Sequence, residues 1–189
     1  MVGISQREDG GVPHPQRPIA RERRGLRQLS HSEIIPGRRT LVDPRRGPRA
    51  ALQRQAYAAM VCELKIQYKI SIRKWRARMS GVAYELMYSD GRIKRLITAP
   101  RPRGPVSAAI FLHEVGHHAV GFRRYAPRCL EEYYVWQWAF REMAARNIPV
   151  DHRVLKHYRR SMYHYVRLAR REDPHRLPAE VAGFSHWPG

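Results

Sequence analysis

Between Val106 and Phe122 the chain is apolar almost without interruption, yet the middle of that run carries His113-Glu114-Val115-Gly116-His117-His118. Val106, Ala108, Ala109, Ile110, Phe111, Leu112, Val115, Ala119, Val120 and Phe122 leave a helix here with no polar face for water. The segment is therefore expected to be a buried helix with the rest of the domain arranged around it. Unpaired imidazoles and carboxylates inside a protein cost several kcal/mol each, and a bound cation is the simplest partner for them. The competing reading of the same residues is a polar stripe turned toward solvent.

The spacing sharpens this expectation. Positions 113 and 117 are four apart, so on a helix both imidazoles project from one face, one turn from each other, with Glu114 beside them. This is the H-E-x-x-H arrangement. Zinc takes nitrogen, sulfur or oxygen ligands in a roughly tetrahedral set, and a catalytic site keeps one position open for water. Glu114 is then placed to act as general base, taking the proton from a water that attacks a carbonyl. Gly116 inside the motif permits close approach of another backbone element, such as a strand edge.

The surrounding sequence reads as a small α+β domain. Strong helix formers from about Ala51 to Glu63 predict an opening helix. Ile66, Tyr68, Ile70 and Ile72 then alternate with polar residues at the period of a half-buried strand. Val82–Tyr88 and Ile93–Thr98 are two further strand-like runs, and the Asp90-Gly91 pair between them suits a tight hairpin turn. These give an antiparallel or mixed sheet of about three strands. After the Pro-rich segment 100–105, helices are expected at about 106–121, 127–146 and 151–171, so that the sheet packs on three to four helices. The domain is placed at 49–172. Residues 1–48, rich in Arg, Pro and Gly with little apolar periodicity, read as a disordered basic arm, and 173–189 as a loose C-terminal tail.

A third ligand should come from the segment Cys129-Leu130-Glu131-Glu132-Tyr133-Tyr134. His117 sits about one turn before its helix ends and Glu132 about one turn into the next, so an antiparallel helix pair brings them level. Glu131 points about 100° away around that helix and is the alternative; either glutamate also serves as a carboxylate favoured near a helix N-terminus. His118 falls off the ligand face and suits a packing role. Tyr125, Tyr133 and Tyr134 read as aromatic packing, and Cys129 as a poor ligand.

On these residues the chain resembles the ImmA/IrrE-like zinc metallopeptidases, in which H-E-x-x-H is followed by a helix reading roughly E-x-x-A-x-x-F-A. The corresponding stretch is Glu132-x-x-Val135-x-x-Trp138-Ala139, and the strand, Asp-Gly hairpin and Pro-rich loop before the motif are also similar, over about residues 64–146. The resemblance implies a zincin-like fold, His113, His117 and Glu132 as zinc ligands, Glu114 as general base, and a protein or peptide substrate in a regulatory setting.

Charge adds a partner class. The 189 residues carry 36 Lys and Arg against 16 Asp and Glu, a formal charge of +20, mostly as arginine, which favours phosphates and other acidic surfaces. A nucleic-acid-associated binding protein with a structural zinc, gripping phosphates through the arm and the last helix, is the alternative function. Glu114 favours the enzyme, because a closed structural site has no use for a base. The start lacks an apolar export segment, and no run of about 18 apolar residues suggests a membrane span. With only Cys62 and Cys129, leaving room for one bridge at most, a reducing cytoplasm is expected.

Overall fold

The computed structural model of the chain describes residues 47–173 and 177–186. The chain divides into two units, Met1–Leu41 and Val42–Gly189, and every described residue belongs to the second. The basic arm expected at the N-terminus thus lies, but for its last two positions, outside the described residues.

Helix α1 spans Pro48–Gln67, with proline in its first turn, where a missing N–H is harmless. Tyr57, Met60 and Leu64 recur at helical spacing and form its buried face. The helix runs past the expected end at Glu63 and absorbs Ile66, which is 79% exposed. Alternation beginning at Ile66 was therefore only partly a strand signal: Lys65, Ile66 and Gln67 continue the helix, Tyr68 donates its N–H to the Leu64 carbonyl, and Lys69 at φ 53° turns the chain out. Strand β1 begins only at Ile70 and runs to Arg76.

Strands β2 (Val82–Met87) and β3 (Ile93–Pro100) form the expected hairpin, with Gly91 at φ 81° and the Asp90 carboxylate accepting the Arg92 N–H in the turn. The sheet is mixed, in the order β1-β3-β2, because β1 pairs with β3 in parallel. Burial accounts for that order. Leu96, Ile97, Ala99 and Pro100 make β3 the most buried strand, and it takes the centre, while β1 and β2 are largely half-buried or exposed and take the edges. The β1–β2 connection consequently has to pass over the end of β3, and this carries Arg78–Gly81 toward the helices.

Helix α2, Pro105–Val120, is buried continuously from Ser107 to His118, as the apolar run required. Its start is fastened by Ser107 Oγ, which accepts the N–H groups of Arg103 and Gly104 at 2.9 and 3.2 Å. Gly121 at φ 95° ends it. Helices α3 (Arg128–Ala145) and α4 (His152–Glu172) follow close to the expected bounds, α4 opening on Asp151, whose side chain accepts from the N–H groups of Arg153 and Val154.

Gly116 does permit a close approach, but not by a strand edge. A Cβ there would stand 3.0 Å from Val135 Cγ1 and Trp138 Cε3 and 3.2 Å from the Val135 carbonyl oxygen, so the close neighbour is α3. The C-terminal segment also differs from the expected loose tail. Residues Ala179–Ala182 form a short helix α5, Val181 is fully buried, and the Phe184 ring packs 5.2 Å from that of Tyr158. Leu177, Val181 and Phe184 dock it on the core. Cys62 and Cys129 are both free, and no helix among the described residues is long and apolar enough to cross a membrane.

Candidate metal centre

Three contacts set the pairing of α2 and α3. His117 faces Glu131 and Glu132, Gly116 meets Val135, and the His113 ring lies 4.4 Å from that of Trp136. Going backward along α2 is going forward along α3, so the helices are antiparallel and their close approach at Gly116 brings the polar residues together.

His113, His117 and Glu132 each offer a ligand atom, and these atoms lie within 4.8 Å of one another. The geometry converges on one oxygen: Glu132 Oε2 is 3.2 Å from His113 Nε2 and 3.8 Å from His117 Nε2. The three residues are only 7%, 6% and 0% exposed, so water does not satisfy them from outside. Nor does the protein fully do so. Glu132 Oε2 and the Nδ1 atoms of both histidines are buried without a hydrogen-bond partner, the Oε2 contact with His113 being poorly aligned for one. Two imidazoles and a carboxylate directed at one another around an unsatisfied oxygen suit a divalent cation of the zinc type.

The protonation states agree with that donor set. Burial, reinforced by the neighbouring His113, pushes His117 down to about 3, which keeps its ring neutral with a lone pair for a metal. Burial alone would raise Glu132, but the imidazoles of His113 and His117 and the Arg128 guanidinium outweigh it and hold the carboxyl below its ordinary value. Glu114 is different. Burial, with the negative charge of Glu132 adding to it and His113 and Arg76 opposing, pushes it up to about 7. A carboxyl poised near neutrality both accepts and returns a proton readily.

Glu131 is not one of the three converging groups: its Oε1 stands 3.9 Å from His117 Nδ1, on the side of the ring away from Glu132. That is where an outer carboxylate orients a ligating imidazole. His118 faces the sheet, with Nε2 donating to the Leu96 carbonyl at 3.3 Å and Nδ1 3.8 Å from Glu85 Oε1, and it ties α2 to β3. The Tyr134 ring packs against those of Tyr125, tilted, and Tyr133, edge-on, and Cys129 is buried outside the cluster.

Several residues at the site were not singled out from sequence. Arg128 Nη2 lies 3.3 Å from Glu132 Oε1, and its guanidinium sits 5.5 Å from the centre of the Tyr165 ring. Burial, with the nearby charge of Glu132, pushes the Tyr165 hydroxyl up to about 12, so it remains a proton donor. A cavity of about 560 Å³ opens over His113 and Glu114, floored also by Ile110 and Trp136. Arg78, Met79, Ser80 and Gly81 line it from the β1–β2 connection, and His157, Arg160, Ser161, His164 and Tyr165 from α4.

Gly81 determines how Glu114 sits. A Cβ at Gly81 would overlap Oε1, Cγ and Cδ of Glu114, so only glycine lets the carboxylate lie against that loop, where the Ala83 N–H donates to it. Gly81→Ala is expected to push the Glu114 side chain aside, leave zinc uptake intact and lower any hydrolysis by about 100-fold, the usual scale for a misplacement near 1 Å. Metal content and turnover measured on the same sample check this, and unchanged turnover would show that Glu114 does not depend on the contact.

Compared with family models, with curated proteins and with solved structures, the chain matches none.

Proposed function

We propose that the protein is a zinc-dependent metallopeptidase in which His113, His117 and Glu132 hold the metal and Glu114 is the general base. The observation that carries this reading is Glu132 Oε2: buried, unsatisfied and faced by two imidazoles, one of which, His113, lines a cavity together with Glu114. Zinc held there supplies a Lewis acid that polarises a carbonyl and activates water. Glu114 receives the proton of the attacking water and returns it to the leaving amine, a double role suited to a carboxyl near 7. Arg128, paired with Glu132 Oε1, keeps that ligand ionised and fixed. The resemblance to the ImmA/IrrE-like peptidases in the motif and in Glu132-x-x-Val135-x-x-Trp138-Ala139 supports the same assignment, with a regulatory protein as substrate.

A closed structural zinc is less well supported, since it needs a fourth protein ligand and gives Glu114 no task. The exposed Arg159, Arg167, Arg170 and Arg171 on α4 nevertheless favour a phosphate-bearing partner for that surface. The free thiols of Cys62 and Cys129 fit the reducing cytoplasm proposed as its location. The full chain should purify with about one zinc and cleave an unfolded protein such as casein, losing cleavage with a chelator and regaining it with added zinc. Absence of zinc from the purified protein, or cleavage indifferent to chelation, would refute the proposal.

A further inference from the structure

The cavity above Glu114 has a distinctive wall chemistry. Its floor, Ile110 and Trp136 with His113 and Glu114, is buried, while both sides are cationic: Arg78 comes from the β1–β2 connection and Arg160 from α4. His157, Ser161 and His164 share the Arg160 side, spaced so that one face of α4 presents them all. Among the described residues Glu114 is the only carboxylate lining the cavity. Among the described residues the arginine–carboxylate ion pairs join Asp90 to Arg92, Glu85 to Arg95, Glu132 to Arg128, Glu63 and Glu142 to Arg146, and Asp151 to Arg153, and none includes Arg78 or Arg160. Arg78 and Arg160 therefore keep their charge for whatever enters. Guanidiniums beside a buried floor attract an anion more strongly than the same groups on an open surface, and a carboxylate matches their fork bidentately.

We propose that the cleft selects peptides carrying an aspartate or glutamate side chain beside the bond to be cut, held between Arg78 and Arg160. This deepens, and rests on, the peptidase reading of the same site. The acidic side chain lies between the two guanidiniums, one from each side of the cavity. Ser80, held by Arg76 Nη1 donating to its hydroxyl at 3.0 Å, and Ser161, whose hydroxyl accepts from Trp136 Nε1 at 3.4 Å, are further polar groups on the two sides.

The test uses the full chain carrying Glu114→Gln and loaded with zinc, so that peptides bind without turnover. Two pools of random decapeptides are compared, one with Asp and Glu at set positions and the other with Asn and Gln at the same positions. The acidic pool is expected to bind about tenfold more tightly or better, the scale of a charge-assisted hydrogen bond. Arg78→Gln with Arg160→Gln should erase the difference. Arg159→Gln with Arg170→Gln, which removes the same charge from α4 outside the cavity, should leave it in place. Equal binding of the two pools, or equal losses in the two double variants, would overturn the proposal. So would a single-stranded oligonucleotide that loses binding with Arg78→Gln and Arg160→Gln while the acidic pool does not. Sequencing the products of the wild-type zinc protein on a peptide library separates the two readings. Cleavage without acidic residues flanking the cut bonds keeps the peptidase and removes the selectivity; selective capture of the acidic pool with no cleavage removes the peptidase and keeps anion recognition.

Discussion

Glu114→Gln should abolish peptide hydrolysis while zinc stays bound, and should make the metal-free protein more stable at pH 8. The first effect follows from chemistry: glutamine keeps the shape but cannot accept a proton, and a positioned general base contributes about 10²–10⁴-fold. The second follows from burial. Glu114 is pushed from the ordinary carboxyl value of 4.5 to about 7 in the fold, chiefly because its charged form is desolvated. Below about pH 4.5 it is protonated in folded and unfolded chains alike and contributes no pH dependence. Between 4.5 and 7 the unfolded chain releases the proton while the folded chain retains it, so stability falls as pH rises. Above 7 the penalty is constant, at about 3 kcal/mol for a shift of this size. Urea unfolding with a chelator present should show Glu114→Gln more stable than wild type at pH 8 by up to that amount, with the gap narrowing toward pH 5. A pH-independent gap would assign the effect to packing, and retained hydrolysis would remove Glu114 as the base.

The opposed requirements on this residue explain which parts of the site were legible in the sequence. A helix apolar from Val106 to Phe122 had to be buried, and four-residue spacing had to place His113 and His117 on one face. Helical phase set Glu132 and Glu131 about 100° apart but left the choice between them open, and both are buried against His117, Glu132 on its Nε2 side and Glu131 on its Nδ1 side. Arg128 stands four residues before Glu132, a spacing that reads as a helical ion pair once the fold is known. Long-range placement was not legible. Ser80-Gly81 looks like any turn until Glu114 is seen to occupy the space a Cβ would need. The inner stripe of α4, Val154, Tyr158, Met162 and Val166, dominates its pattern, so His157, Arg160 and His164 pass for part of a solvated basic face. Similarly, the alternation from Ile66 cannot tell where α1 ends, and nothing local in β1 says that its parallel neighbour is β3, a strand that comes later in the chain than β2.

Glu132→Ala should lower zinc affinity by at least about 100-fold, while Glu131→Ala should lower it by only about tenfold. The argument rests on where the two carboxylates point. Glu132 puts one oxygen 3.2 and 3.8 Å from the Nε2 atoms of His113 and His117, and its removal leaves two neutral imidazoles, a set too poor in charge to retain zinc against a chelator. Glu131 reaches only the far nitrogen of His117, at 3.9 Å, so its loss loosens the ring's orientation and leaves the donor set whole. Outer partners of ligating histidines are worth about 10–100-fold in metal affinity, which sets the smaller effect and a floor for the larger. Competition with a chromophoric chelator measures both, and thermal unfolding of the metal-free variants separates metal loss from misfolding. Glu132 is fully buried with Arg128 on its other oxygen, so the alanine variant also leaves a cavity beside the two imidazoles and removes that contact. Glu132→Gln avoids most of that disturbance, keeping the volume and an oxygen for Arg128 while removing the charge, and it should still weaken zinc more than Glu131→Ala does. Equal effects at 131 and 132 would mean that the metal sits on the Nδ1 side of His117, and the cavity over Glu114 would then no longer open onto it.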